Sequence, residues 1–437
     1  MIDYTDVKNQ RNLRLHTKPS VQEGDYRTPA QKDKDRIVYT SAFRRLAEVT
    51  QVASPGDVHV FHNRLTHSLQ VAQVGRSLAE KLRQDTAACD SVGGIDPDTV
   101  EAACLAHDLG HPPFGHTAEE LLNQLIGSVA GGFEGNAQSF RIITKLAFKS
   151  TLHAGLDLTA ATLAGVLKYP WLKGQNKDKP NKWGAYGSEL KDFQFARKVS
   201  PRRKLARSPE ATLMDWSDDV TYSVHDLEDF FRAGRIPVHL LARASENLER
   251  QRFFDDVYRR RAGDKKFPKR GVLEEAFANI LAIFWRIYEP YSGTREHRSR
   301  LRYFTSQLIH RYVNGIEIDS KKKTIEIDPE YEKEVMILKE LTWTYVIEAP
   351  SQSLQREGQR TIIRRLFEIY SDAAGSEKKW SIFPPFYREE LGQATSNATR
   401  KRIVTDLIAG MTEPQVIEAY RQAIGFWSAQ SFEDLVR

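Results

Sequence analysis

Cysteine is nearly absent: Cys89 and Cys104 are the two in 437 residues. Two thiols make no disulfide framework and fit a reducing compartment, so a cytoplasmic location is expected. No run of about 18 apolar residues occurs, which excludes a helical membrane span. The opening text, MIDYTDVKNQRNLRLH, lacks the apolar core of a secretory signal. There is also no tandem repeat and no long low-complexity tract. What remains is ordinary globular composition, 40% hydrophobic and 28% charged, in a chain long enough for a large core and more than one lobe. The formal net charge of +6 and pI of about 9.0 are compatible with a polyanionic ligand, a nucleotide or nucleic acid. They fit simple solubility equally well.

Apolar residues recur at three- and four-residue spacing, the signature of helices. The pattern predicts helices over 36–49, 65–82, 100–106, 118–125, 137–148 and 210–231, then 272–288, 298–312, 331–347 and 354–370. Residues 127–135 read as a flexible connection. The Lys-rich stretch 172–184, LKGQNKDKPNKWG, reads as a surface loop, as does 373–385. GIEID at 315–319 and TIEID at 324–328 alternate around Ser320 to Lys323 and predict one hairpin. The fold class expected is all-α, mainly helical with one small β-hairpin. The expected division is an N-terminal arm over 1–34, a catalytic core over 35–235, and a helical C-terminal lobe over 236–437 holding the hairpin near 315–328.

The chemistry concentrates in three segments. His107-Asp108 lies in AACLAHDLGHPPFGH, His67 in HNRLTHSLQVA, and Asp218-Asp219 in LMDWSDDVTYSVHDLED. A buried Asp without a partner is costly, so Asp108 is expected to be paired or bound to metal. Imidazole nitrogen with carboxylate oxygen suits Mn, Fe, Co, Ni, Zn or Mg. Neighbours on a helix point about 100° apart, so His107 and Asp108 reach one ion only if it sits close over their turn. Of Asp218 and Asp219, one can face that ion while the other caps or meets solvent. Tyr222 and Asp226 follow Asp218 by four and eight residues on one helical face. Glu119 near a helix start is also explained by the positive end of the helix dipole.

The order H…HD…D resembles the HD superfamily of metal phosphohydrolases. HNRLTHSLQVA, AHDLGHPPFGHTAEE, GFEGNAQSFRI, LKYPW and DDVTYSVHDLED are similar to the deoxyguanosine triphosphate triphosphohydrolases. DRIVYTSAFRRLAEVTQV and RIVTDLIAGMT extend the resemblance from about residue 27 to about 412. The resemblance implies an HD-domain core and one divalent metal ion, magnesium or manganese first, with iron, cobalt or nickel as alternatives. Its four ligands would be His67, His107, Asp108 and Asp218. It implies a catalytic set of His116, backed by Glu119, with His111 beside them. Substrate would meet Arg64, Gln51, Lys168, Tyr169, Lys182, Tyr222 and Asp226, the last two at the deoxyribose. The implied reaction is hydrolysis of deoxynucleoside triphosphates, dGTP first, to deoxynucleoside and inorganic triphosphate. It also implies a homo-oligomer, a hexamer or other even assembly, open to a nucleotide or single-stranded DNA effector. The chain departs from the family at Val49-Thr-Gln-Val52 and Met411-Thr-Glu-Pro-Gln415, which loosens the guanine preference more than the metal chemistry. The rivals are another HD phosphohydrolase and a nucleotide- or DNA-binding regulator without turnover.

Overall fold

The computed structural model describes residues 10–18, 24–51, 62–200, 205–242, 248–283, 289–348 and 350–425. Val52, parts of the expected arm (1–9 and 19–23) and the end of the expected helix at 284–288 lie outside the described residues. The chain is mainly helical. Five helices build the core around the site: α1 (Pro29–Val38), α2 (Arg64–Leu82), α3 (Pro97–Ala106), α6 (Ala160–Val166) and α7 (Pro209–Arg232). Between them in sequence come α4 (His116–Ile126) and α5 (Gly135–Arg141).

The helix starts are written locally. Thr28 and Gln31 form a capping box before α1, and Asn63 and Thr66 do so before α2. Asp96 with Pro97, and Ser208 with Pro209, start α3 and α7. Each cap satisfies backbone N–H groups that the first turn leaves unpaired, contributing about 1 kcal/mol.

Packing then sets the register. α3 lies along α1, α2 and α6, and α7 crosses α2 and α3. Val71, Leu78, Val100, Cys104, Leu213, Val220 and Val224 are fully buried there. The crossing needs Gly75. A Cβ on Gly75 would lie 2.6 Å from Cys104 Sγ and 3.0 Å from Ser217 Oγ. Cys104 is one turn before His107, and Ser217 immediately precedes Asp218. The close approach at Gly75 therefore sets three helices so that their site residues meet.

This first core continues into the C-terminal half, through α8 (Arg295–Asn314) and α9 (Pro329–Thr342). Between them β1 (Ile316–Asp319) and β2 (Thr324–Ile327) pair antiparallel, with Ile318 opposite Ile325. A second core joins α4 and Phe133 to α10 (Pro350–Ala374), α11 (Asn397–Gly410) and α12 (Glu413–Ala423). The helix carrying His116 and Glu119 is thus packed by side chains from Ile363 to Ala419. No helix among the described residues is long and apolar enough to cross a membrane.

Some local expectations give way. The helix expected over 36–49 breaks after Tyr39, because the Thr40 hydroxyl caps a new short helix, Ser41–Arg45. The one expected over 137–148 narrows to α5 followed by a π-turn over Ile142–Leu146. The expected loop over 373–385 contains a 3₁₀ turn, Glu377–Ile382.

Candidate metal centre and substrate cleft

His107 is the C-cap of α3, and its ring is buried. Its Nδ1 lies 2.6 Å from the Cys104 carbonyl oxygen, so that nitrogen is the donor. Nε2 is left facing the centre, buried and without a hydrogen-bond partner. An imidazole oriented through its far nitrogen, with its near nitrogen unsatisfied, is what a metal ligand needs. Asp218 Oδ1 lies 3.6 Å from His107 Nε2 and 3.1 Å from His67 Nε2. The ligand atoms of His67, His107 and Asp218 all fall within 4.8 Å of one another. Asp108 Oδ1 is 3.4 Å from His107 Nε2, while its carboxylate also meets Arg64 Nη1 at 2.7 Å and His111 Nδ1 at 2.9 Å. The converging donors, two imidazoles and one carboxylate with the Asp108 carboxylate beside His107, are of the types that hold a divalent ion. Asp219 points elsewhere, to Lys339 Nζ at 2.6 Å.

The electrostatics agree with the donor set. Burial raises the pKa of Asp108 and Asp218, but neighbouring cations outweigh it and hold both well below the usual carboxylate range. For Asp108 these are His111, His107 and Arg64; for Asp218, Lys168 and His107. Burial alone would depress His107, yet Asp108 and Asp218 push it up to about 9. At pH 7 the metal-free imidazole therefore carries a proton that a cation must displace. Mn²⁺ binding is expected to release a proton at pH 7 and to tighten up to about tenfold per pH unit until about pH 9. Calorimetric titration in buffers of different ionisation enthalpy measures this; no proton release would contradict it.

A cleft of about 530 Å³ opens over this centre, within the range of small-molecule sites. Gln51, Arg64, His107, Asp108, His111, His116, Lys168, Tyr169, Lys182, Asp218 and Tyr222 line it. Residues of the C-terminal half, among them Lys339, Trp343 and Gln359, form its far wall. Lys168 Nζ bonds Asp218 Oδ2 at 2.8 Å and Asp215 Oδ1 at 2.9 Å. Lys182, on the loop that follows Trp171, reaches Glu119 Oε1 at 3.0 Å and Glu134 Oε1 at 3.1 Å. His67 is buried beneath the cleft, not on its surface. Asp226 is buried one turn further along α7, beside Tyr222 and not on the cleft wall, with its Oδ2 unpartnered.

His116 opens α4, its side chain three-quarters exposed, with Nδ1 2.7 Å from Glu119 Oε2. Burial would raise Glu119, but His116 and Lys182 outweigh it, so Glu119 is held ionised; its neighbour Glu134 is raised by burial and by Glu119. His111, His116 and Glu119 also cluster within 4.8 Å. The turn before His116 is unusual. Phe114 has φ +66°, a left-handed conformation rare for such a side chain, and Gly115 follows at φ +56°.

Three contributors escaped the sequence reading. Asp215, three residues before Asp218 on the same face of α7, holds Lys168 and Arg207; helical spacing could have found it. Glu134 and Glu413 carry no local signal. Gly110 is a fourth necessity. A Cβ there would lie 2.1 Å from Ser139 N and 2.3 Å from Gly135 O, backbone that cannot swing aside. Ser139 Oγ meanwhile accepts from Gly110 N and donates to the His107 carbonyl. Gly110→Ala is expected to cost about 3 kcal/mol or more, read as a lowered denaturant midpoint. A wild-type midpoint would show that this junction yields.

Residues 64–222 match the HD domain, and residues 325–422 match the phosphohydrolase-associated domain. Several similar proteins bear the name deoxyguanosinetriphosphate triphosphohydrolase-like protein. One from Streptomyces coelicolor is 36% identical, over 91% of this chain and 93% of its own. One from Corynebacterium efficiens is 34% identical over 92% and 93%, and one from Corynebacterium diphtheriae 32% over 97% and 98%. The metal-ready donor set and the HD match make this a metal-dependent phosphohydrolase, and the chain belongs to the deoxyguanosinetriphosphate triphosphohydrolase-like family of HD-domain proteins.

Proposed function

We propose that the protein hydrolyses deoxynucleoside triphosphates, dGTP first among them, to deoxynucleoside and inorganic triphosphate. One observation carries the reading. His67, His107 and Asp218 converge at the floor of a cleft whose walls place Arg64, Lys168 and Lys182 around one volume. A polyanionic chain entering that cleft would exchange these cations' carboxylate partners for phosphate oxygens. Arg64 suits bidentate phosphate contact, and the lysines act as point charges. A divalent ion held by His67, His107, Asp108 and Asp218 would polarise a phosphoryl oxygen and acidify water.

The protein's own groups do the rest. Water adds to the α-phosphorus, and the bond from phosphorus to the 5′ oxygen breaks. His116 gives that oxygen its proton while Glu119, kept ionised, orients the ring and stabilises its charge. Tyr222 faces the cleft four residues beyond Asp218, where it would pack under the sugar. Asp226, buried one turn beyond Tyr222 on the same helical face, would support that contact from behind. Gln51 brings a buried, unpaired amide oxygen to the opposite wall, available to a base or sugar.

The test is turnover of each dNTP and NTP with Mg²⁺ or Mn²⁺, with products resolved by ³¹P NMR. Inorganic triphosphate as the first product is expected, with deoxynucleotides preferred. Pyrophosphate or single phosphate release would assign the centre to a different phosphohydrolase reaction. Salt-dependent DNA binding without turnover would replace the enzyme reading altogether.

A further inference from the structure

The two walls of the cleft are tied together by one carboxylate from the last helix of the described chain. Glu413, in the first turn of α12, is buried. Its Oε1 accepts from Phe114 N at 3.1 Å and from Thr50 N at 2.9 Å, and its Oε2 accepts from Thr50 Oγ1 at 2.7 Å. Phe114 is the residue in the left-handed conformation, two positions before His116. Thr50 bridges to Asn63 at the start of the helix carrying Arg64, and Gln51 follows it. Beside this knot, Arg45 is buried and donates to the carbonyls of Met411, Leu109 and His111. The segment before α12 is thereby fastened to the stretch between Asp108 and His116.

A strained backbone conformation persists only where its surroundings hold it. Nothing in Phe114 itself favours φ +66°; the N–H bond to Glu413 is one of the restraints that keeps it there. We propose that Glu413 is a positioning residue for the hydrolytic reaction, clamping the Phe114–Gly115 turn so that His116 meets the leaving oxygen. It touches no reacting atom, and it makes the C-terminal helices part of the catalytic geometry. This rests on the proposed role of His116.

Glu413→Ala removes all three bonds, and Glu413→Asp shortens the arm so that Thr50 and Phe114 cannot both be reached. Glu413→Gln keeps an acceptor for both N–H groups, and its amide can donate to the Thr50 hydroxyl. Glu413→Ala is expected to lower kcat by about tenfold to a hundredfold, as a misplaced catalytic group does, while Mn²⁺ affinity stays near wild type and unfolding stays cooperative at a lower denaturant midpoint. Glu413→Gln restores most of kcat. In a His116→Ala background, Glu413→Ala changes kcat by no more than about twofold, because its effect runs through His116. An equal loss with and without His116 would overturn the proposal, as would a failure of Gln to rescue. If the Ala variant does not fold, the Asp variant answers the same question.

A second readout needs no turnover. With ¹⁵N-labelled histidine, the His116 ring signal, identified by its loss in His116→Ala, moves in Glu413→Ala and stays in Glu413→Gln. An unmoved signal in Glu413→Ala overturns the clamp. A wild-type protein that hydrolyses no dNTP overturns the proposed function instead, and leaves this measurement to judge the clamp.

Discussion

Asp218→Ala is expected to abolish metal-dependent turnover and to leave no measurable Mn²⁺ binding. Among the described residues, Asp218 is the one that meets both histidines of the centre, His67 at 3.1 Å and His107 at 3.6 Å through Oδ1, and it meets Lys168 at 2.8 Å through Oδ2. Its removal leaves the Lys168 ammonium facing the space meant for a cation, with one carboxylate fewer to balance it. Attraction becomes repulsion. Losing the cation's stabilisation of phosphoryl charge is worth several kcal/mol, a fall of roughly 10³-fold or more in kcat/KM. Asp218→Asn, which keeps the shape and loses the charge, should fall nearly as far. Folding survives both, because Lys168 retains Asp215 at 2.9 Å. Asp219→Ala is the internal comparison. Its carboxylate turns to Lys339 on the cleft wall, away from the two histidines, so turnover should stay within about tenfold of wild type, the scale of one lost half-buried ion pair. Metal-dependent turnover persisting in both Asp218→Ala and His107→Ala would remove this centre from the reaction.

The second large effect belongs to His116. His116→Ala should lower kcat by about 10² to 10⁴-fold with little change in KM, the usual range for deleting a positioned general acid. The geometry explains why KM is spared. On the proposed reading phosphate affinity falls to Arg64, Lys168 and Lys182, while His116 has an exposed ring tethered at Nδ1 by Glu119, 2.7 Å away. Glu119→Gln should cost less than His116→Ala. The amide can still hold the ring, but it no longer stabilises a charged imidazole, and Lys182 keeps Glu134 as a partner. The chemical signature is leaving-group dependence. An aryl triphosphate, whose phenolate departs without a proton, should recover much of the lost rate in His116→Ala. An equal deficit with alkyl and aryl leaving groups would deny His116 the role of acid.

Much of this was legible in the text, and the boundary is physical. Helices α2, α3 and α7 announce themselves because their apolar spacing, capping residues and N-terminal prolines lie within a few positions of one another. The hairpin does so through its alternation around Ser320 to Lys323. The helix break at Tyr39 was missed because Thr40 offers its hydroxyl to the next turn, a choice that periodicity does not register. At the site, His67, His107 and Asp218 could be grouped by order of motifs alone. That Asp108 divides itself between Arg64, His111 and the centre could not, since those partners compete for the same two oxygens.

What the sequence by itself determined is the helical class, the ends of the main helices, and the chemical types gathered for a cation and a phosphate chain. These depend on residues one to four positions apart, where backbone hydrogen bonding and side-chain periodicity act locally. Tertiary structure alone decided how those types are aimed. It brought Gly75 against Cys104 and Ser217 so that three helices share a centre, and gave Asp219 its partner in Lys339. It also carried Glu413 across 299 residues to the Phe114 N–H. Such contacts are selected by whole-molecule packing, which has no period along the chain.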